Sequence, residues 1–563
     1  MSSKRTPSDS VALVPTTVVN VIHRCPRVSR GLKGVGVSRH RLSRVLLSAV
    51  LLLGAGITMS SPTAAAQTPK PRPGPEIVHT GSGPTGYSVT FRFDAPAAAK
   101  VQIFGQWLFS DAVHSTLTSS AGWTPAQWKP GAFPSYRPNQ PPLWSLSDMV
   151  RGTDGTWSTT LPLPSGTFNY GFFVNCDSPV LTGCTRLQDP ANPTWSGPLT
   201  YSQVYVPSDP RFGTEDLSWQ APRRKDTGKL RVITYPSPAS TSPPGQHDAV
   251  VYTPPGYDPD RRTPYPTLYL SHGMGDDELA WSTQGAANRI LDNLYADDKV
   301  QPMVVVMTDF NGLGGCGGSA VECYRSDVLD SVIPFVEDNF HVSDRPEDRA
   351  FAGLSAGGQR ANDLLFNATE EFGYFGSWSL GGAGAPPVAD SRWQNPALRT
   401  RLGLHVGGGR FDASHMSQGQ AMAYQSNLEA NDIPFVETTL DGVHSWDVWR
   451  RLLRTFVTEV AFKTTHTTLS LKEPTDEGKK RRTAVADVGA ATGQPTPPTG
   501  HVRFYLDGVG AGHEIGTPQR VHKDGTADLS HLPRLPAGSH TVTAVYSGDD
   551  LYRASTSVAV SID

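Results

Sequence analysis

Polar and apolar side chains alternate along residues 87–93 and 100–104, and the same period of two returns at 156–161. Residues 167–174 are rich in aromatics, and Asp154-Gly155 and Ser165-Gly166 punctuate the runs as turns. Alternation puts every second side chain on one face, so this stretch predicts antiparallel strands packed as a sandwich, closing near Val204, Tyr205 and Val206. The Pro- and Trp-rich stretch 123–144 reads as a loop inserted into it. From about Arg223 the pattern changes. Apolar runs at 249–253, 267–270, 303–307 and 402–406 suit buried strands of a parallel sheet, and 435–440 predicts one more. Helical spacing lies between them, at 286–294, at 326–340 despite Pro334, and at 446–460. From about His466 the strand pattern resumes, at 502–506, 526–529 and 539–546. Strands, then alternating strands and helices, then strands again predict three modules of two different classes.

Length agrees, because 563 residues are too many for one core. The formal net charge is −3 and charged residues make up 18%, which argues against a nucleic-acid partner held through phosphates. Basic residues instead crowd the N-terminus, where Arg41 and Arg44 precede an apolar run over 45–54 and then Ala64-Ala65-Ala66. That order predicts a secretory signal peptide over 1–66, cleaved after Ala66, and no membrane association afterwards. A membrane anchor is the rival, but the run is shorter than the roughly 20 apolar residues a spanning helix needs. A stiff Pro-rich linker follows at 67–75, then a β-sandwich at 76–222, an α/β domain at 223–465 and a second sandwich at 466–563. Cys25 leaves with the signal. Cys176 and Cys184, and Cys316 and Cys323, form two sequence-local pairs that suit small-loop disulfides in an oxidising compartment. No His stands at ligand spacing beside either pair, which weakens the alternative of a zinc site; no metal or cofactor is expected.

Candidate chemistry centres on Gly353-Leu354-Ser355-Ala356-Gly357, a G-x-S-x-G pentapeptide. With 55 glycines in the chain, roughly 0.3–0.4 such pentapeptides arise by chance, so context has to decide. An apolar strand end at 349–352 precedes the serine, and Ala361, Leu364 and Leu365 follow at helical spacing, which is the strand, sharp turn and helix the motif requires. A serine hydroxyl needs a base to take its proton and a third group to hold that base. His444, on a loop just past a predicted strand, fits the base; His405 lies inside a strand and His415 is a weaker candidate. Asp412, after the strand at 402–406 and its glycine run, fits the acid. Asp441 is a rival that shares the loop of His444, and Asp447 more plainly starts a helix. The oxyanion hole requires two backbone N–H groups, expected from Ala356 and Met274, with His272 orienting the Met274 loop. Trp281 and Trp446 are candidates to flank an acyl group, with core packing as the alternative for both.

The motifs also carry resemblances. "PTLYLSHGMGDDELAW", "RILDNLYADDKVQPMVVVM", "VIPFVEDNFHVSDRPEDRAFAGLSAGGQRA" and "GVHSWDVW" resemble the esterase-D-like group of α/β-hydrolases, which contains feruloyl and acetyl-xylan esterases. The resemblance implies Ser355 as nucleophile, His444 as base and Asp412 as acid. Ala356 stands where that group usually has Met, and the 316–323 loop looks like an insertion near the mouth of the site. "VTFRFDAPAAAKVQIFGQW" and "GTWSTTLPLPSGTFNYGFFVN" resemble early-set, glycogen-binding-like modules. In that module Trp107, Trp157 or the 123–144 loop is placed either to touch sugar or, as the aromatics of a sandwich more often do, to fill its core. "AGSHTVTAVYSGDDLYRAS" resembles the end of bacterial Ig-like repeats. Together these imply an exported serine carboxylesterase acting on polysaccharide-linked feruloyl or acetyl esters. The alternatives are a mycolyltransferase-like acyltransferase, a siderophore esterase, or a non-catalytic glycan-binding protein.

Overall fold

The computed structural model describes residues 74–562, apart from 138–139, 194–200, 402, 417–419, 474–481, 491–496, 531, 534–537 and 550. The predicted signal peptide, and the linker up to residue 73, lie outside the described residues. No helix among the described residues is long and apolar enough to cross a membrane.

The first module is two antiparallel four-stranded sheets. One holds Glu76–His79, Tyr87–Asp94, Thr156–Leu161 and Val150–Arg151; the other holds Ser202–Val206, Gly166–Val174, Val101–Gly105 and Ser145–Asp148. The alternation seen in sequence becomes the inner face: Val89, Phe91, Ile103, Trp107, Tyr170 and Phe172 fill the space between the sheets. Trp107 and Trp157 are 1% and 7% exposed, so both belong to this core and neither is placed to stack on a sugar. The inserted stretch is only partly loop, because Phe133–Ser135 pairs with Leu108–Ser110.

The middle domain is one eight-stranded sheet. Its strands are β1 (Lys229–Thr241), β2 (Pro244–Thr253), β3 (Thr267–Ser271), β4 (Val304–Thr308), β5 (Arg349–Leu354), β6 (Tyr374–Trp378), β7 (Gly403–Gly409) and β8 (Val436–Leu440). Their spatial order is β1-β2-β4-β3-β5-β6-β7-β8, parallel from β4 to β8 with antiparallel β1 and β2 at one edge. Strands β3, β4 and β5 are buried throughout, which is why they read as continuous apolar runs. The helix expected over 326–340 starts earlier, at Ala320, where Ser319 and Glu322 form a capping box. It runs through a π-helical stretch, Val328–Val332, and Pro334 then falls in the first turn of Ile333–Asn339, where a missing N–H costs little.

The last module pairs a sheet of Thr465–Lys472, Thr483–Ala490 and Thr526–Leu529 with a second built on Glu514–Arg520, His501–Leu506 and His540–Tyr546. Val502, Phe504, Ala527, Val542 and Tyr546 lie between them. Both predicted disulfides form, Cys176–Cys184 and Cys316–Cys323.

Candidate active site

Strand β5 delivers Ser355 to a turn that only small neighbours allow. Ser355 has φ 52° and ψ −120°, and the helix Ala356–Asn367 starts at the next residue. A non-glycine side chain at positive φ costs about 1–3 kcal/mol, held here by the buried strand before it and the helix after it. A Cβ at Gly353 would lie 2.3 Å from the Gly357 carbonyl oxygen, and one at Gly357 would lie 2.6 Å from the carbonyl oxygens of Ser271 and His272. The glycines of the pentapeptide are therefore spatial requirements of the turn.

His444 lies on the loop after β8 and Asp412 on the loop after β7. The His444 Nε2 is 3.0 Å from Ser355 Oγ, and its Nδ1 is 3.0 and 2.9 Å from the two carboxylate oxygens of Asp412. Asp412 is fully buried and also accepts the backbone N–H of Ser414 at 2.9 Å. An ionised carboxylate only accepts, so Nδ1 carries a proton toward Asp412 and Nε2 is the acceptor for the serine hydroxyl. Trp449 stands edge-on to the imidazole, with ring centroids 4.9 Å apart. Ser355, His444 and Met274 open into one cavity of about 390 Å³.

Residues 240–459 match the family model described as "Putative esterase", and residues 467–563 match "Bacterial Ig-like domain (group 3)". The middle of the chain is an esterase domain. It is similar to the "Endo-1,4-beta-xylanase/feruloyl esterase" of Xylanibacter ruminicola, 30% identical over 238 residues that make up 40% of this chain and 31% of that protein. It is also similar to the "Endo-1,4-beta-xylanase Y" of Acetivibrio thermocellus, 31% identical over 136 residues, 22% of this chain and 12% of that protein. The chain spans less than a third of either relative, 31% and 12% of their lengths. A solved structure of the feruloyl esterase module from Clostridium thermocellum, complexed with sinapinate, is 21% identical with a TM-score of 0.38, covering 44% of this chain and 92% of that one. The enterobactin esterase of Shigella flexneri is 17% identical with a TM-score of 0.43, covering 69% and 96%.

On the esterase domain, the loop after β3 brings Gly273 against the serine, where a Cβ on Gly273 would lie 3.3 Å from Ser355 Cβ. Met274, beside it, is exposed and lines the cavity. His272 is fully buried, and both of its ring nitrogens face acceptors: the Gly273 carbonyl oxygen at 2.7 Å and Asp309 Oδ1 at 2.8 Å. Asp309 in turn accepts the N–H of Asn311 at 2.8 Å, and Phe310 stacks on the His272 ring at 4.0 Å. The Gly273 carbonyl and the Met274 N–H share one peptide plane, so holding one aims the other. Sequence reasoning named His272 for this task and missed Asp309, whose signal was an acid just past the end of β4.

The rival residues sit elsewhere. Asp441 pairs with Arg410 at 3.3 Å, and Asp447 with Arg451 at 3.2 Å. His405 is fully buried in β7 between Trp378 and Thr438, and burial pushes its imidazole down to about 3. The Nδ1 of buried His415 accepts the Gly381 N–H at 3.1 Å. Trp281 does not reach the cavity. It is 1% exposed, donates its indole N–H to the Ser271 carbonyl and meets Trp446 edge-on at 5.2 Å, so it supports the floor from beneath, while Trp446 itself lines the cavity. The 316–323 loop does not line the cavity either; Gly315 bonds to Ala239 and Cys323 is buried in the core against β1. Asp276 does line it, and burial raises its carboxyl to about 6.

Proposed function

We propose that the chain is a serine carboxylesterase working by acyl transfer to water through Ser355, His444 and Asp412. The observation that carries this is the continuous hydrogen-bonded path from Ser355 Oγ through both nitrogens of His444 to a fully buried Asp412, opening at a cavity. Ser355 Oγ attacks the ester carbonyl carbon as His444 Nε2 takes its proton. Asp412 balances the imidazolium, and the N–H groups of Ala356 and Met274 bind the oxyanion. His444 then gives its proton to the alcohol oxygen as the C–O bond breaks. Water enters by the same steps in reverse, releasing the acid and restoring the serine.

The substrate we assign is a hydroxycinnamoyl, feruloyl-type ester of plant polysaccharide, supported by the similarity to the xylanase/feruloyl esterase of Xylanibacter ruminicola and by the aromatic side chains in the cavity lining. A volume of about 390 Å³ suits a ring-sized acyl group. Export is supported by the basic-then-apolar N-terminal sequence and by two disulfides, which persist in oxidising compartments. The test compares methyl ferulate, p-nitrophenyl acetate and a long-chain p-nitrophenyl ester with wild-type protein and Ser355→Ala. Ferulate turnover lost in the variant is expected. Turnover of acetate alone would move the reading to a deacetylase, and turnover of no ester would sink the esterase reading.

A further inference from the structure

The cavity above Ser355 is not made by the esterase domain alone. Gln106, Trp144, Arg186 and Tyr201, all from the N-terminal sandwich, form part of the cavity wall. All four are half-buried, as residues facing a cavity are. Trp144 meets Phe104 edge-on at 5.9 Å, and Phe104 also touches Tyr201 at 6.4 Å. The Arg186 guanidinium lies 3.7 Å from the Tyr201 ring centroid and donates to the Tyr201 hydroxyl at 2.9 Å. Behind this wall the Cys176–Cys184 disulfide packs in the same cluster as Phe104 and Phe173.

The wall is fixed to the esterase domain by buried polar contacts. Arg450 is 1% exposed, and it donates to the Thr167 carbonyl of the sandwich at 2.8 Å and to the Gln284 carbonyl of the esterase domain at 3.1 Å. Gln203 of the sandwich donates to the Thr283 carbonyl at 2.8 Å and accepts from Arg289 at 2.8 Å. Separating the two would leave these groups unpaired in a buried seam, which holds the wall against the esterase domain.

We propose that Trp144 and the Arg186–Tyr201 pair form the binding site for the phenolic ring of a hydroxycinnamoyl acyl group, so that the sandwich acts as the specificity wall of the pocket. The inference rests on the esterase reading of Ser355. Four aromatic side chains, Trp144, Tyr201, Trp446 and Trp449, line the cavity together with polar ones, among them Gln106, Arg186 and Gln284. That balance suits a flat ring carrying one or two oxygen substituents, which Arg186, Gln106 or Gln284 are placed to bind.

Binding and turnover are read separately on the full chain. Ser355→Ala protein is titrated with methyl ferulate by calorimetry, with and without Trp144→Ala. In the active protein, Trp144→Ala is assayed on methyl ferulate, p-nitrophenyl acetate and acetylated xylo-oligosaccharide. The wall predicts at least tenfold weaker ferulate binding and a tenfold higher KM for methyl ferulate. The loss on p-nitrophenyl acetate is smaller, so the ferulate-to-acetate ratio of kcat/KM falls at least fivefold, and Trp144→Phe restores most of the ferulate affinity. Arg186→Met is the second variant should Trp144→Ala fail to fold. Unchanged ferulate binding would overturn the wall while leaving the esterase intact. Equal losses on ferulate and acetate, or a loss confined to the oligosaccharide, would overturn it too. Ferulate binding that needs Trp144, in a wild-type protein without Ser355-dependent turnover, would sustain the wall and sink the esterase reading.

Discussion

The two β-sandwiches that flank the esterase domain meet it on different terms. The N-terminal one is joined through a buried arginine, a buried glutamine and a stacked ring pair, Phe133 on Phe411 at 5.8 Å, next to Asp412. It gives four residues to the cavity at Ser355. The C-terminal one touches the esterase domain where the Arg553 N–H donates to the Lys463 carbonyl at 2.8 Å and where Gln301 donates to the Tyr552 hydroxyl at 3.3 Å. It gives the cavity nothing among the described residues. Both are sandwiches with apolar cores, so fold does not decide which module shares in the chemistry. What decides it is where buried polar groups find their partners: across the seam on one side, mostly within the module on the other.

The strongest way to break the comparison is Arg450→Ala. It removes the Arg450 bonds to the Thr167 and Gln284 carbonyls from the buried seam and opens a cavity, which is expected to cost about 4 kcal/mol in chemical denaturation, with ferulate turnover falling along with the seam. A variant with unchanged stability would mean the N-terminal module is merely adjacent.

Asp276→Asn probes the burial that the sandwich wall helps impose. The Asp276 carboxyl rises to about 6 because of burial, so between its ordinary value and that point the folded chain binds more protons than the unfolded one. Stability from this group is present at low pH and lost as pH rises through about 6. The asparagine variant should therefore be more stable than wild type at pH 7.5, by about 2 kcal/mol, and the gap should close near pH 4. A pH-independent difference would refute this.

Asp309→Asn separates the two sides of the cavity kinetically. Loosening His272 lets the Gly273–Met274 peptide turn, so kcat is expected to fall about tenfold, worth about 1.4 kcal/mol, with KM little changed. A KM effect alone would remove Asp309 from the oxyanion loop. Deletion of 465–563 should do least, leaving kcat/KM for methyl ferulate within about twofold, since that module gives the cavity no residue among those described; a large loss would give it a part in the site.

Much of the site was legible because its parts are local in the chain. The Ser355 turn needs glycines two residues before and after, and loops past β7 and β8 carry Asp412 and His444 with glycines beside them. Each is a short-range steric or strand-end signal. The tryptophans were not legible in the same way. Trp107, Trp157 and Trp281 are as aromatic as Trp144, yet they are buried and it faces the cavity. Composition cannot tell a core ring from a pocket ring, because both are bounded by apolar contacts.

The sequence by itself determined the three modules and the strand–turn–helix around Ser355, since periodicity and steric size act within a few residues. Only the tertiary structure decided that Asp441 pairs with Arg410 while Asp412 meets His444, and that the Cys176–Cys184 disulfide, rather than Cys316–Cys323, stands behind the pocket. It alone brought Trp144, Arg186 and Tyr201 to the cavity of a serine more than 150 residues away. Those pairings depend on how surfaces of different modules meet, and burial of polar groups at that seam is a property of the assembled chain.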